Sequence, residues 1–340
     1  MVSCLKTKKQ NTQAAKSFLV TKGWLDTSSW MGKSGKYVLL AITDKADTKA
    51  ILAKFMGSIE QRNILKVKLE TRTIKDALSN VIPAEELDKI NRGFEAIGDI
   101  AVIEIPEGLS KLEVNIAWAL KRIHKHIKVV AKKDKKTSGK YRIRKVKVLV
   151  GDMRTETVHK ESGARLKLDL NKVYFSPKLG SERLRILRQV KPKENILNMF
   201  AGVGPYPIVF AKNKKDITQT AIELNPAAVR YFKQNLKLNK LEKRITLIKG
   251  DAKVEVPKLK QKFDRIIMVL PEKAHEFLPH ALKVANKGAM IHIYQFEARD
   301  DADRRAQELK KMTGAKAVKP VRAGGFSPKI DRFCFDIQLP

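Results

Sequence analysis

The chain has 340 residues, enough for two or three domains and at least one large hydrophobic core. It carries 70 Lys and Arg against 36 Asp and Glu, a net charge of +34, which favours a polyanionic partner, nucleic acid first and an anionic membrane second. Two cysteines near opposite ends of the chain argue against a disulfide scaffold and a cysteine zinc site, and no apolar run is long enough to span a bilayer.

The first predicted module, residues 1–70, is a small α/β unit without a catalytic pattern. Apolar spacing predicts helices over 12–22 and 48–57 and strands over 36–42 and 65–69. No apolar signal core follows the lysines of the N-terminus, so we expect a cytoplasmic protein. We interpret this module as a binding or scaffolding unit.

The second predicted module, residues 71–170, is strongly basic. Its predicted helices cover 74–77, 84–91 and 113–126, and its predicted strands cover 99–105, 142–150, 154–160 and 164–170, with another beginning at 129. Between residues 121 and 147 there are thirteen Lys or Arg and one acid, Asp134. Given the charge of the whole chain, this run favours contact with phosphates over a merely solvated charged face.

From residue 171 to the C-terminus, strands and helices alternate strictly. The predicted helices are 181–190, 205–213, 226–238, 252–260, 273–285 and 298–312, and the predicted strands are 196–199, 218–222, 244–248, 264–268, 288–294, 317–321 and 332–338. This alternation predicts a largely parallel, doubly wound sheet. A glycine loop without a helix joins the last two strands, which predicts an antiparallel hairpin at one edge. That edge is typical of a class I (Rossmann-like) methyltransferase sheet and not of a dehydrogenase sheet.

A strand, a tight turn and a helix follow one another at Asn195–Pro205. The glycine turn, residues 200–204 (Phe-Ala-Gly-Val-Gly), contains Gly202 and Gly204, which let a ligand approach the backbone. The helix N-terminus behind it suits a carboxylate. Alone, this turn is as compatible with a plain connection or a dinucleotide site as with a nucleoside site, because it lacks the third glycine of the dinucleotide fingerprint.

Three further strand ends carry polar or proline motifs. Glu223, before Leu224, lies 21 residues beyond Gly202, where an acid can accept hydrogen bonds from both ribose hydroxyls or cap the next helix. Asp251, before Ala252, can reach an adenine amino group or cap its own helix. Val269-Leu-Pro271 ends the fourth strand. Together the four strand ends describe a site for S-adenosyl-methionine.

The region from about residue 141 to the C-terminus resembles the archaeal and eukaryotic tRNA guanine-37 N1-methyltransferases. The segments that carry the resemblance are Gly139–Arg144, Thr157–Glu161, Val173–Pro177, Ser181–Arg183, the glycine turn and Val269–Pro271. The first 70 residues match the family only in size and position. The resemblance implies S-adenosyl-methionine as methyl donor and N1 of the guanine beside the anticodon as acceptor.

The resemblance also implies roles for individual residues. Glu182 would be the general base for the N1 proton, and Arg142 would stabilise charge on guanine O6. Tyr174 would help to hold the donor and the catalytic geometry. Arg183 would bind the donor. The other expected donor contacts are Phe200, Gly202, Gly204, Glu223, Leu224, Asp251, Ala252, Val269 and Pro271. The alternatives are a surface Glu182–Arg183 pair on a helix and an Arg142 that only contacts phosphate.

The sequence departs from the family pattern at Val269, where the family usually has Asn. The departure keeps three alternatives open: methylation of the wyosine intermediate 4-demethylwyosine at position 37, aminocarboxypropyl transfer to that intermediate, and a non-catalytic RNA-binding protein. We favour guanine-37 methylation because Arg142 and Glu182 are both present. The N-terminal module would touch the tRNA body and the basic module the anticodon stem. We expect no metal, no membrane partner and a monomer.

Overall fold

A computed structural model of the protein describes residues 1–26, 32–34, 36–62, 73–78, 84–88, 90, 93–134 and 141–340. The chain forms two compact units. The N-terminal unit comprises Met1–Phe94, Ile103–Lys132 and Val148–Met153, and the C-terminal unit comprises Glu95–Val102, Lys133–Lys147 and Arg154–Pro340. Among the described residues, no helix combines the length and the apolar character needed to cross a membrane. The module boundaries at residues 70 and 170 stay predictions.

The N-terminal unit contains a four-stranded antiparallel sheet in the order β2-β3-β1-β4. Its first elements are β1 (Val2–Lys8), α1 (Thr12–Thr21), β2 (Gly32–Ser34), β3 (Tyr37–Ala41), α2 (Thr48–Lys54) and β4 (Gly57–Arg62). Strands β1 and β4 were not predicted. Helix α2 ends at Lys54, earlier than predicted, because the backbone turns extended at Phe55 and Gly57 already pairs with β1 as the first residue of β4. The predicted strand 65–69 lies outside the described residues.

The middle of the chain supplies elements to both units. They are α3 (Ile74–Leu78), α4 (Ala84–Asp88), β5 (Glu95–Ile97), β6 (Ile100–Ile103), α5 (Glu113–Ile123), β7 (Val129–Lys133), β8 (Val146–Gly151), β9 (Glu156–Glu161) and β10 (Ala164–Asp169). The strand predicted from residue 142 begins only at Val146, because Arg142 has a φ of 54° and an extended strand requires a negative φ. Residues 135–140 of the basic loop, and residues 89 and 91 of the predicted helix 84–91, lie outside the described residues.

Strands β9 and β10, which correspond to the predicted strands 154–160 and 164–170, form an antiparallel hairpin around Ser162 and Gly163. Both turn residues have positive φ, 48° and 79°, which matches the twist of a two-residue hairpin. Two side-chain amides hydrogen-bond the backbone groups along the free edge of β10. Asn235 bonds the N–H and C=O of Lys167, and Asn239 bonds those of Arg165. These amides pair the edge as a neighbouring strand would.

A seven-stranded sheet with the order β13-β12-β11-β14-β15-β17-β16 forms the centre of the C-terminal unit. Its elements are α6 (Gly180–Gln189), β11 (Asn195–Asn198), α7 (Pro205–Asn213), β12 (Thr218–Glu223), α8 (Pro226–Asn239), β13 (Thr246–Lys249), α9 (Ala252–Glu255), β14 (Phe263–Met268), α10 (Ala274–Val284), β15 (Ala285–Ala298), α11 (Ala302–Thr313), β16 (Ala317–Gly325) and β17 (Ile330–Gln338). Strands β11 to β15 pair in parallel, and β17 is antiparallel to both β15 and β16. The predicted doubly wound sheet with an edge hairpin is confirmed.

Helix α9 is shorter than the predicted helix 252–260. Pro257 has no N–H to continue the helix, and the chain passes into a 3₁₀ turn at Val256–Lys258. This turn still packs over the core on one sheet face, which includes Leu197, Met199, Phe263, Ile291 and Phe335. The parallel strands β11 to β14 all end at one edge of the sheet, so the segments that follow them meet there.

Candidate active site

The glycine turn follows β11 at this edge, and Gly202 is its most open position. Gly202 has a φ of 57°, and a Cβ added there would meet nothing within 4 Å. Its N–H donates to Glu223 Oε2 at 2.6 Å, which ties the turn to the end of β12. A ligand can therefore approach the backbone at Gly202.

Gly204 serves a different purpose from Gly202. It has a φ of 91° and caps α7, and a Cβ there would lie 2.5 Å from the Phe232 ring and 2.9 Å from Ile208. Gly204 is thus required for the left-handed turn and for close packing against α8. The expectation that it contacts the donor stays a prediction, and the space beside it is filled by protein.

The Glu223 carboxylate is held by backbone N–H groups. Its Oε1 accepts from Asn225 N at 2.7 Å, while the Asn225 side chain caps α8 by accepting from Ala227 N. Glu223 itself therefore does not cap the helix. Burial raises the pKa of Glu223, against the opposing effect of the N–H donors of Asn225, Gly202 and Leu224. The two carboxylate oxygens can accept four hydrogen bonds in all, so one lone pair is left for a ligand hydroxyl beyond these three donors.

The third and fourth strand ends flank this turn. Asp251 caps α9 by accepting from Lys253 N at 2.9 Å, and Ala252 is buried behind it. Leu224, Val269 and Pro271 are half-buried. The Phe200 ring packs edge-on against Phe277, with ring centroids 4.8 Å apart. The capping alternative for Asp251 is realised, and one of its oxygens stays free of the cap.

Arg142 lies at the fourth strand end. Its Nη2 donates to Glu272, the residue after Pro271, at 2.5 Å. Its Nη1 is buried and has no hydrogen-bond partner within the described residues. A left-handed backbone is costly for a residue with a Cβ, and such strain concentrates at functional sites. One nitrogen of this guanidinium is therefore fixed by Glu272, and the other keeps its hydrogen-bonding capacity unused.

Glu182 is buried in the first turn of α6, so the alternative of a surface pair with Arg183 is wrong. Arg185 binds both carboxylate oxygens of Glu182 at 2.8 Å. Tyr294 Oη donates to Glu182 Oε1, also at 2.8 Å, and a further 2.8 Å bond joins Tyr294 to Tyr206. Tyr206 is in the first turn of α7, two residues after Gly204, and so connects Glu182 to the glycine turn.

Arg183 is also buried, but it has a separate partner. It forms a two-pronged ion pair with Glu161 of β9 at 2.6 and 2.5 Å and lies over the rings of Phe175 and Tyr206. Burial opposes the charge of Glu161, but the bonds from Arg183 and His159 outweigh it and lower the pKa of Glu161 to about 2. The expected contact of Arg183 with the donor stays a prediction. In the structure, the Arg183 guanidinium packs against the Tyr206 ring.

Tyr174 is half-buried, and the Arg144 guanidinium lies over its ring at 5.7 Å. In the part of the chain that the structure describes, no hydrogen bond joins Tyr174, Arg142 and Glu182 to one another. The structure thus brings together Gly202 with Glu223 and Arg142 with the fourth strand end, and it links Glu182 to α7 through two tyrosines.

Sequence reasoning missed several residues of this site. Arg185 could have been found from its i, i+3 spacing to Glu182 on a helix. Tyr294 and Glu272 carry no local signal, because their partners lie 88 to 130 positions away. The buried amide of Asn198, near the end of β11, has no partner among the described residues and was also missed.

The strand order, the edge hairpin, the glycine turn and an acid at the end of β12 define a class I methyltransferase. Models of two protein families match the chain: the TRM5/TYW2 methyltransferase domain over residues 157–321 and the TYW2 N-terminal domain over residues 74–155.

Related proteins match most of the chain. It is 36% identical over 283 residues to the tRNA (guanine(37)-N(1))-methyltransferase Trm5b of Pyrococcus abyssi, covering 83% of this chain and 81% of that protein. It is 36% identical over 211 residues to the tRNA 4-demethylwyosine(37)-methyltransferase Taw21 of Saccharolobus solfataricus, covering 62% of this chain and 80% of that protein. A solved complex of aTrm5 and tRNALeu is similar over 99% of both chains, with 29% identity and a TM-score of 0.71. The chain belongs to the TRM5/TYW2 methyltransferase family.

Proposed function

We propose that the protein transfers a methyl group from S-adenosyl-methionine to N1 of guanine 37 in tRNA. The observation that carries the proposal is Arg142, whose guanidinium is fixed at the end of β14 with one buried nitrogen unpartnered. The Pyrococcus abyssi relative named for this activity matches most of the chain and supports the proposal.

The residues around the glycine turn fit the donor. Open space at Gly202 admits it to the backbone, and the remaining lone pair of Glu223 suits a ribose hydroxyl. Asp251 would accept from the adenine amino group. Apolar contacts would come from Phe200, Leu224, Ala252, Val269 and Pro271. The bound donor supplies an electrophilic methyl group.

The acceptor chemistry would fall to Glu182 and Arg142. Glu182 takes the N1 proton of guanine as general base, which leaves a nucleophilic lone pair on N1. Negative charge that develops on O6 is stabilised by the free Nη1 of Arg142. Tyr174 packs against the target base and orients it, and Arg183 acts through Tyr206. The guanine would be flipped out of the anticodon loop to reach this pocket.

Binding of tRNA would draw on the basic surface of both units. The net charge of +34 favours phosphate contacts throughout. In the C-terminal unit, a groove beside α8 is lined by Arg230, Lys233, Lys237 and Lys249, none of which has a carboxylate partner within the described residues. Residues 1–70 would contact the tRNA body and residues 71–170 the anticodon stem, with a single chain sufficient for the site.

A wyosine-pathway methyltransferase is the second candidate. Val269, which replaces the Asn usual in the family, favours it, as does the match to the Saccharolobus solfataricus relative named for 4-demethylwyosine. A valine side chain cannot hydrogen-bond the target base, so recognition at this position depends on shape, and a tricyclic base would gain apolar contact there.

A transfer assay with labelled donor tests the proposal. Unmodified tRNA with guanine at position 37 should accept the label, and a matched transcript with adenine at position 37 should not. Tight tRNA binding without any transfer would instead identify a non-catalytic RNA-binding protein.

A further inference from the structure

A continuous chain of buried and partly buried hydrogen bonds passes through Glu182 and joins α6 to the sheet. We call this chain the Glu182 network; its members in order are Tyr206, Tyr294, Glu182, Arg185, Asp336, His292, Arg265 and Glu194. Each link measures between 2.5 and 2.8 Å. The residues come from α6, α7, β14, β15, β17 and the segment before β11.

The bonding pattern shows the protonation state of the network. His292 Nε2 faces Arg265, which can only donate, so Nε2 accepts and the proton is on Nδ1, which donates to Asp336. Burial also lowers the pKa of His292, which agrees with a neutral ring. Tyr294 gives its single proton to Glu182, and Tyr206 must therefore donate to Tyr294.

The network contains one more negative charge than positive charge. Its carboxylates are Glu182, Asp336 and Glu194, and its cations are Arg185 and Arg265. The neutral His292 does not change the balance. Asp336 is held ionised, since burial is outweighed by the bonds from His292 and Arg185, which lower the pKa of Asp336. Uptake of one proton would make the Glu182 network neutral overall.

Glu182 is the member that presents an unfilled lone pair near the glycine turn. Its Oε1 accepts two bonds, from Arg185 Nη2 and Tyr294 Oη, and is saturated. Its Oε2 accepts one bond, from Arg185 Nε. A carboxylate oxygen can accept two hydrogen bonds, so Oε2 retains one lone pair.

We propose that Asp336 and Tyr294 are positioning residues of Glu182: Tyr294 keeps the carboxylate ionised and oriented, and Asp336 keeps it basic enough to accept a proton through Oε2. This inference rests on the proposed role of Glu182 as general base. Asp336 shares the charge of Arg185, so Arg185 orients Glu182 without neutralising it completely. When guanine N1–H breaks, the new O–H bond forms on Oε2. The electron pair left on N1 bonds the methyl carbon, and the carbon–sulfur pair stays on the donor sulfur.

Two other groups lie close to Glu182, but neither shares the charge of Arg185. Arg183 on α6 is paired with Glu161, and Cys334 on β17 lies beside Asp336 with a thiol whose pKa is raised well above its ordinary value by burial. His292, Cys334 and Asp336 come within 4.8 Å of one another, a spacing that could hold a metal ion. Arg185 and Arg265 bracket them, and two guanidiniums at this distance oppose a bound cation.

The test is the pH dependence of single-turnover methyl transfer at saturating donor and guanine-37 tRNA. Asp336→Asn removes a negative charge near Glu182, so protonating Glu182 becomes harder. The acidic limb of the pH–rate profile should move to lower pH by about one unit. The plateau rate should fall about tenfold, because Glu182 becomes a weaker base. Tyr294→Phe removes a donor to the ionised form and should move the limb to higher pH.

Asp331→Asn is the matched control. Asp331 is a buried, arginine-paired aspartate on the same strand, β17, with no bond to the network, and its variant should keep the wild-type limb. If Asp336→Asn does not fold, the shift of the acidic limb to higher pH in Tyr294→Phe decides whether the inference holds. Wild-type limbs in both network variants would overturn this inference while leaving the proposed function intact. Full turnover in Glu182→Gln would instead overturn the base role itself.

Discussion

The glycine turn and the Glu182 network lie in the same unit but are built in opposite ways. The turn is made largely of backbone: Gly202 and Gly204 have positive φ, and the N–H groups of Gly202 and Asn225 close the turn by donating to the Glu223 carboxylate. The network is made of side chains from six separate segments, and most of its ions are buried. The turn depends on shape, whereas the network depends on charge balance.

This difference separates what each region contributes. Changes in the turn should act on donor affinity and packing, because a side chain added at its glycines overlaps the donor or neighbouring residues. Changes in the network should act on turnover, because an unbalanced buried charge alters the base without moving the donor. Variants that divide affinity from turnover therefore test the comparison.

The largest effect is expected for Glu182→Gln. The amide cannot take the N1 proton, and turnover should fall by about 10²- to 10⁴-fold while donor affinity changes little. Single-turnover rates and calorimetric donor titration measure the two quantities. Glu276→Gln, an exposed change on α10, is the control. A large loss of donor affinity in Glu182→Gln would break the distinction between the regions.

Next in size is Glu161→Gln, which leaves the buried Arg183 guanidinium without its counter-ion. Breaking such a pair costs about 3 to 5 kcal/mol of unfolding free energy. The pKa of Glu161 is lowered from its ordinary value of 4.5 to about 2. The stability that the ionised carboxylate contributes is therefore fully present above pH 4.5 and is lost as the pH falls from there to about 2. Denaturant unfolding from pH 7 to pH 3 should show a smaller loss of stability in the variant than in the wild type.

Arg142→Ala should lower turnover by about 10²- to 10³-fold through loss of the charge at O6. The alternative, phosphate contact alone, predicts weaker tRNA binding with an unchanged maximal rate. Rate measurements at saturating tRNA distinguish the two. Arg304→Ala, an exposed change on α11, should affect neither quantity.

The smallest effects come from the two glycines, which should respond differently. Gly204→Ala places a Cβ 2.5 Å from the Phe232 ring at a φ of 91°, and should cost about 1 to 3 kcal/mol of stability. Gly202→Ala meets open space and should cost about 1 kcal/mol or more for its φ of 57°, with a weaker donor affinity as its main effect. Equal loss of stability with unchanged donor affinity in both variants would contradict the assignment of Gly202 to the ligand.

The same comparison explains how much could be predicted from the sequence. The turn, Glu223 and the edge hairpin follow from local patterns, since each depends on residues close together along the chain. Asp336 and Tyr294 could not be assigned, because a buried bond across more than a hundred residues has no periodic signal. The left-handed Arg142 was predicted within a strand, because its conformation is imposed by tertiary contacts. The strand β1 was missed within a lysine-rich segment whose alternation is weak.

Mass analysis of the nucleoside at position 37 tests the proposed reaction most directly. Unmodified tRNA incubated with S-adenosyl-methionine and the protein should yield N1-methylguanosine, and Glu182→Gln should yield almost none in the same time. A product found only on tRNA carrying 4-demethylwyosine, either methylated or aminocarboxypropylated, would contradict the proposal and assign the protein to the wyosine pathway.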